Sequence, residues 1–141
     1  MTKLNPYLNF NGNTEEAFEF YKSVFGGDFL MLQRFKDTPE AGKIAEEDQD
    51  KIMHVSLKVG ENVLMATDSL ESMGQKLIEG NNITLSLNTD SKEEADELFE
   101  KLSEGGKAEM PMAEVFWGSY FGMLEDKFGI KWMISYDAPK H

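Results

Sequence analysis

One nine-residue pattern occurs twice in this chain, and its repetition constrains the fold more than any other feature. The first copy begins at Asn13, and the second begins 78 residues later at Ser91. Each copy starts with a residue whose side chain can cap a helix and has a glutamate three positions further on, Glu16 or Glu94. This is the pattern of a capping box at a helix start. Two copies of one module within 141 residues indicate an internally duplicated domain.

After each cap, apolar residues recur at helical spacing, and a glycine pair marks the end of the pattern. The glycine pairs are Gly26-Gly27 and Gly105-Gly106. The apolar positions are Ala17, Phe20, Tyr21 and Val24 in the first copy, and Ala95, Leu98, Phe99 and Leu102 in the second. We therefore expect one amphipathic helix in each module.

Short alternating segments surround the two helices and predict the strands. The expected strands are 7–10, 29–35, 52–59 and 63–67 in the first module, and 83–88, 107–110, 120–124 and 130–136 in the second. An acidic segment, 37–50, is expected to be a loop. Pro111 should limit the strand that follows the second helix, which leaves 112–118 as a loop or bulged crossing. In the strand that begins at Ile52, His54 lies on the polar face.

The predicted order is strand, helix and three strands in each module, which is an α+β fold. Module one covers about 4–68, a connector about 69–81 and module two about 82–137, all within a single domain of 141 residues. Two such βαβββ modules are expected to form one curved sheet, with the helices on its outer face and a central cleft between the modules. A cleft of this kind is a natural place for a small ligand.

Composition excludes several classes of function. The net charge of −12 would repel nucleic acid and anionic membranes, so we expect neither as a partner. The chain has no cysteine, which removes thiolate nucleophiles and cysteine metal sites and fits a reducing compartment. It shows neither a signal-peptide pattern nor a stretch of roughly 20 apolar residues, so the expected location is the cytoplasm.

Two regions of the chain resemble a known family. Asn5–Ala17, with Phe20-Tyr21 and Phe25-Gly26-Gly27, resembles the opening of PhnB-like proteins of the vicinal oxygen chelate superfamily. That superfamily includes glyoxalase I, extradiol dioxygenases and antibiotic-resistance proteins. Phe116–Gly122 and Asp126–Trp132 resemble its second signature. The resemblance implies paired βαβββ modules and a homodimer. The same group is labelled 3-demethylubiquinone-9 3-methyltransferase-like, although no glycine-rich methyl-donor loop is present in this chain.

The resemblance also implies where a divalent metal would lie. Enzymes of the superfamily hold the ion with His, Glu or Gln side chains from the first and last strand of each module. The corresponding positions here lie near Pro6, Met65, Asn82 and Met133. Proline has no ligand atom, and the methionine thioether is soft and suits Cu(I) better than Zn(II), Ni(II) or Fe(II). We therefore expect no metal site of the usual kind and no cofactor.

A few side chains are candidates for chemistry, each with a structural alternative. His54 is the only histidine inside the predicted fold, and it could act as a general base, anchor a ligand, or simply hydrogen-bond within the sheet. Glu114 could be a catalytic carboxylate or one solvated acid among 26 acidic residues. The aromatic cluster of Phe116, Trp117, Tyr120 and Phe121 suits a flat or apolar ligand, with packing in the core or a dimer contact as the alternative.

Two main hypotheses remain open from the sequence. The first is a small-molecule-binding protein without the usual metal, and the second is a metal- or His54-dependent lyase or isomerase of the same superfamily. A structural or protein-interaction module is a third, weaker possibility. The proposed ligand-binding residues are His54, Met65, Thr84, Phe116, Trp117, Tyr120 and Met133. The sequence does not identify the ligand.

Overall fold

The computed structural model describes residues 2–116 and 118–137, which contain two α-helices and eight β-strands divided between two compact units. One unit ends at Ile78 and the other begins at Glu79. The first contains β1 (Tyr7–Phe10), α1 (Thr14–Phe25), β2 (Phe29–Arg34), β3 (Ile52–Val59) and β4 (Asn62–Asp68). The second contains β5 (Leu85–Asn88), α2 (Lys92–Ser103), β6 (Lys107–Glu114), β7 (Ser119–Glu125) and β8 (Lys131–Asp137). No helix in these described ranges is long and apolar enough to cross a membrane.

Both units have the same strand connectivity. The sheets have the orders β1-β4-β3-β2 and β5-β8-β7-β6. In each, the first strand runs parallel to the last, and the other neighbours are antiparallel. The predicted α+β fold of two βαβββ modules is thus confirmed. The duplication suggests one curved sheet, whereas hydrogen bonding groups the described strands into two four-stranded sheets, one in each unit.

In the first unit, α1 covers one face of the sheet. The helix buries Phe18 fully, while Phe20, which we expected on the apolar face, is only half-buried. On the sheet face that packs against the helix, the core is completed by Val55, Leu57, Leu64 and Ala66. The predicted alternation holds along most of β3. The alternation breaks at the start of β3, opposite a register shift in β2 between Gln33 and Arg34. There the core residue is Ile52, at 1% exposure, and Met53 is half-buried.

The N-terminus of α1 is not capped by Asn13, so the predicted capping box is wrong at this helix. The Asn13 side chain makes no cap hydrogen bond. Instead, the buried carboxylate of Asp68, at the end of β4, accepts from the Thr14 amide at 3.1 Å and from the Thr14 hydroxyl at 2.6 Å. Its other oxygen accepts from the Ile52 amide at 2.8 Å. One side chain from a distant strand therefore joins the helix start to β3 and β4.

At α2, in contrast, the predicted local cap is confirmed. The Ser91 hydroxyl accepts from the Glu94 amide at 3.1 Å. The Glu94 carboxylate accepts from the Asp90 amide at 3.2 Å, one residue before the Ser91 cap. The second helix thus begins where its own sequence indicates.

The predicted limit of β6 at Pro111 is wrong. The strand continues to Glu114, with register shifts on both sides of Met110. Because β6 is an edge strand, the missing amide of Pro111 need not break the ladder, and edge strands and bulges are where sheets tolerate proline.

The capping role of Asp68 can be tested by substitution. Asp68→Asn replaces one acceptor oxygen with an amide group that cannot accept from a backbone N–H, and we expect it to lower the free energy of unfolding by about 2 kcal/mol or more. Asn13→Ala is the matched control, and its effect should be below about 0.5 kcal/mol because Asn13 caps nothing. Urea unfolding measures both. A large loss in Asn13→Ala with a small one in Asp68→Asn would contradict the assignment.

Candidate functional site

The face of the first sheet that α1 leaves uncovered carries a group of polar and soft side chains. We call Tyr7, His54, Ser56 and Met65 the site face. Strand pairing places Met65 of β4 between Tyr7 of β1 and Ser56 of β3. His54 lies two residues from Ser56 and therefore on the same face. The flanking β4 residues, Leu64 and Ala66, are buried, whereas Met65 is half-buried.

Tyr7 and His54 contact each other across this face. The Tyr7 hydroxyl lies 3.4 Å from Nδ1 of His54, and the two rings are 5.7 Å apart between centroids at an interplanar angle of 39°. Tyr7 is 47% exposed, and His54 is half-buried. The long hydrogen bond and the open surroundings leave both polar groups accessible to a bound molecule.

The ring nitrogens of His54 have distinct roles in this arrangement. When the ring carries its proton on Nε2, Nδ1 accepts from the Tyr7 hydroxyl, and the Nε2–H is available to donate to a carbonyl or carboxylate oxygen. In the other tautomer, Nδ1–H donates to the Tyr7 oxygen and Nε2 is available as a base. Either way, Tyr7 orients the ring.

In the second unit, the predicted residues do not share one face. Met133 of β8 pairs with Ser86 of β5 and with Met123 of β7. Tyr120 lies on the opposite face, where its hydroxyl donates to Asp96 of α2 at 2.5 Å. The hydrogen bond to Asp96 raises the pKa of Tyr120. The Tyr120 side chain therefore links α2 to the sheet.

Glu114 lies at the end of β6 in an ion pair with Lys92 of α2. The hydrogen bond from Lys92 lowers the pKa of the Glu114 carboxyl, which makes it a weaker base. The Lys92 ammonium also lies 5.3 Å from the centroid of the Tyr120 ring. These contacts give Glu114 a role in fixing the start of α2.

The remaining predicted ligand-binding residues lie outside the strands. Thr84 is exposed and immediately precedes β5. Phe116 is 96% exposed in the turn between β6 and β7. Trp117 lies outside the described residues. Of the seven predicted residues, the structure brings His54 and Met65 together on the site face.

The donors at the positions implied for a divalent metal do not fit one. In the parallel pairs of first and last strands, Tyr7 faces Met65 and Ser86 faces Met133. Pro6 and Asn82, near which the resemblance puts two of the ligands, precede β1 and β5. A phenol, a hydroxyl and two thioethers are poor ligands for borderline divalent ions. Within 2–116 and 118–137, no three His, Cys, Asp or Glu side chains are grouped to hold a metal.

Similarity to known proteins assigns the family. A family model described as 3-demethylubiquinone-9 3-methyltransferase matches residues 2–135. The chain belongs to this family. Protein YjdN of Escherichia coli (strain K12) is 31% identical over 140 residues, which cover 94% of this chain and 93% of YjdN. Family membership thus rests on matches to nearly the whole chain.

Solved structures agree with this assignment. Protein PA1353 from Pseudomonas aeruginosa has a TM-score of 0.87 at 41% identity, covering 97% of this chain and 98% of that one. A putative 3-demethylubiquinone-9 3-methyltransferase, PhnB protein, from Bacillus cereus has a TM-score of 0.75 at 26% identity, covering 96% and 99%. Glyoxalase-related and glyoxalase/bleomycin resistance proteins share the fold at 17–19% identity, with TM-scores of 0.61–0.65. The chain is thus PhnB-like, and its fold is the one found in the glyoxalase-related proteins.

Sequence reasoning did not select Tyr7 as a site residue. Its side chain reaches His54 only because β1 pairs in parallel with β4, a contact between residues 47 positions apart. What could have pointed to Tyr7 is its place in a short strand, at an exposed position that alternates with the inward-facing residues. The homodimer and the cytoplasmic location stay predictions.

If the Tyr7–His54 pair serves binding rather than folding, it should contribute little to stability. We expect Tyr7→Phe and His54→Leu each to change the free energy of unfolding by less than about 1 kcal/mol, because the pair is accessible to water and its hydrogen bond is long. Urea unfolding at neutral pH checks this. A loss above about 2 kcal/mol in either variant would assign the pair to the folding core instead.

Proposed function

We propose that this protein binds a small organic molecule on the site face without a divalent metal of the superfamily's usual kind. The observation that supports this most is the accessible Tyr7–His54 pair beside the half-buried thioether of Met65. Polar groups that converge beside an apolar surface are typical of small-molecule sites. The fold is shared with proteins whose names describe glyoxalase-related enzymes and bleomycin resistance proteins.

The geometry favours a particular kind of ligand. The Nε2–H of His54 suits an oxygen acceptor, such as a carbonyl or carboxylate, and Met65 offers a soft apolar contact beside it. The ligand we propose therefore combines an oxygen acceptor with an apolar or aromatic part. The protein's strong net negative charge, −12, favours carbonyl compounds and single carboxylates over multiply charged anions.

Ligand-induced stabilisation tests this proposal. A library of aromatic and aliphatic carbonyl and carboxylate compounds is screened by thermal unfolding, since a ligand present at 100 times its Kd stabilises by about 2.7 kcal/mol. We expect the compounds that stabilise the wild type to bind roughly fivefold to tenfold more weakly to Tyr7→Phe and His54→Leu, because each variant loses a hydrogen-bonding group.

Tyr136→Phe is the matched control, since it makes the same chemical change in the second unit and should leave affinity unchanged. Equal weakening in Tyr136→Phe, unchanged affinity in both site-face variants, or a library without any hit would contradict the proposal.

The lyase or isomerase of the same superfamily is the second candidate function. It would use the tautomer in which Nδ1–H of His54 donates to the Tyr7 oxygen and Nε2 acts as a base on the bound molecule. Turnover of a stabilising compound by the wild type, lost in His54→Leu while binding is only weakened, would select the enzyme. Binding without turnover would select sequestration or transport of the ligand.

The absence of a usual metal site is tested separately. The purified, untagged protein is incubated with Zn(II), Ni(II), Mn(II) and Fe(II), desalted and analysed for metal. We expect no stoichiometric retention, because thioether, phenol and hydroxyl donors hold these ions poorly. Retention near one ion per chain that falls in Tyr7→Phe would overturn the metal-free proposal and direct the search to oxygen-chelating substrates.

A further inference from the structure

Three methionines lie side by side across the second sheet. Met123 of β7 pairs directly with Met110 of β6 on one side and with Met133 of β8 on the other. We call these three residues the methionine row. Residues directly opposite each other on neighbouring antiparallel strands have Cβ atoms about 4.5–5.5 Å apart, so each outer side chain lies next to the central one.

The row lies on the sheet face that α2 does not cover. Met123 and Met133 are half-buried, and they alternate with the buried residues Leu124, Trp132 and Ile134. Met110 is 45% exposed on the edge strand, next to a register shift. All three side chains are therefore accessible to solutes to some degree.

The sulfur atoms can converge on one ion. Methionine has three rotatable side-chain bonds, so the two outer thioethers can turn toward the central one without movement of the strands. Thioether sulfur is a soft, neutral ligand that selects monovalent soft ions such as Cu(I), and hard or borderline divalent ions prefer oxygen and nitrogen. Three thioethers in a row form a donor set for a soft cation.

The charges nearby do not oppose a cation. Lys131, on the same strand and face as Met133, has its ammonium 3.0 Å from the Glu109 carboxylate. Lys131 also lies directly opposite Glu125, which in turn lies opposite Lys107. Each positive charge beside the row is thus matched by a carboxylate, and a monovalent cation meets no excess positive charge there.

We propose that the methionine row binds one soft monovalent metal ion, Cu(I) or its redox-stable analogue Ag(I), through the thioethers of Met110, Met123 and Met133. The three ligands all belong to the second unit, and the proposal does not depend on the proposed function. The proposed site differs from the divalent site of the superfamily in its donor atoms and in the ion that it selects.

Methyl NMR of the intact chain locates the ion directly. Protein labelled at the methionine methyl carbons is titrated with Ag(I), and the signals of its nine methionines are followed. We expect the methyl signals of Met110, Met123 and Met133 to shift together and to saturate near one equivalent, while those of the other six stay in place. Cu(I) binding is then measured anaerobically by competition with a coloured Cu(I) chelator.

Met123→Leu removes the central ligand while keeping nearly the same apolar volume, so the fold should be retained. We expect its affinity for Cu(I) to fall by roughly tenfold or more, since even indirect changes at metal sites cost this much. Met73→Leu, which changes an exposed methionine of the first unit, should bind as the wild type does. The methyl spectrum of each variant verifies its fold.

Three results would overturn the proposal. They are the absence of any methyl shift with Ag(I) in excess, shifts centred on Met65 instead of the row, and unchanged Cu(I) affinity in Met123→Leu. Met65→Leu separates this proposal from the proposed function, because it should weaken the binding of organic ligands and leave the Cu(I) affinity unchanged.

Discussion

The buried carboxylate of Asp68 is the interaction on which the first unit depends. It is 2% exposed and accepts three hydrogen bonds, two from Thr14 and one from Ile52. Burying a carboxylate costs free energy unless such donors satisfy it. The end of β4, the start of β3 and the start of α1 must therefore all be in place in the folded unit. These hydrogen bonds hold the end of β4 beside the start of β3 and the start of α1. In the same sheet, Tyr7 faces Met65 in the parallel pairing of β1 with β4.

The second unit uses the same topology with a different buried carboxylate. Asp126 is 3% exposed and accepts from the amides of Phe128 and Ile130 and from the indole nitrogen of Trp132. It organises the tight connection between β7 and β8 from within, whereas Asp68 joins elements that are distant in sequence. What is duplicated in this chain is therefore the order and pairing of strands, while the polar contacts that hold each copy differ. The helix caps differ as well, since Ser91 caps α2 locally whereas the Asn13 side chain makes no cap hydrogen bond at α1.

Most elements could be predicted from the sequence because their signals are local. Helical spacing, glycine pairs and alternation located both helices and the approximate strand ranges. The errors share a physical cause, which is that the deciding contact is not local. Asn13 was expected to cap α1, but a residue 54 positions from Thr14 supplies the acceptor. Pro111 was expected to limit β6, but its place at the sheet edge removes the penalty. Tyr120 belongs to a cluster in sequence, yet strand alternation turns it toward Asp96 and away from Met133.

The two sheets place different chemistry at equivalent positions, and this shapes what the protein can bind. Met65 and Met133 each face the first strand of their sheet, but their partners are a phenol in one unit and a hydroxyl in the other. Neither pair carries the nitrogen or carboxylate donors that hold a borderline divalent ion. In the first unit, Met65 lies beside Ser56, and the imidazole of His54 two residues along β3 can exchange hydrogen bonds with an organic ligand. In the second unit, Met133 lies beside Met123, whose thioether adds a further soft donor. One inherited register therefore supports a hydrogen-bonding surface in one unit and a soft-donor surface in the other.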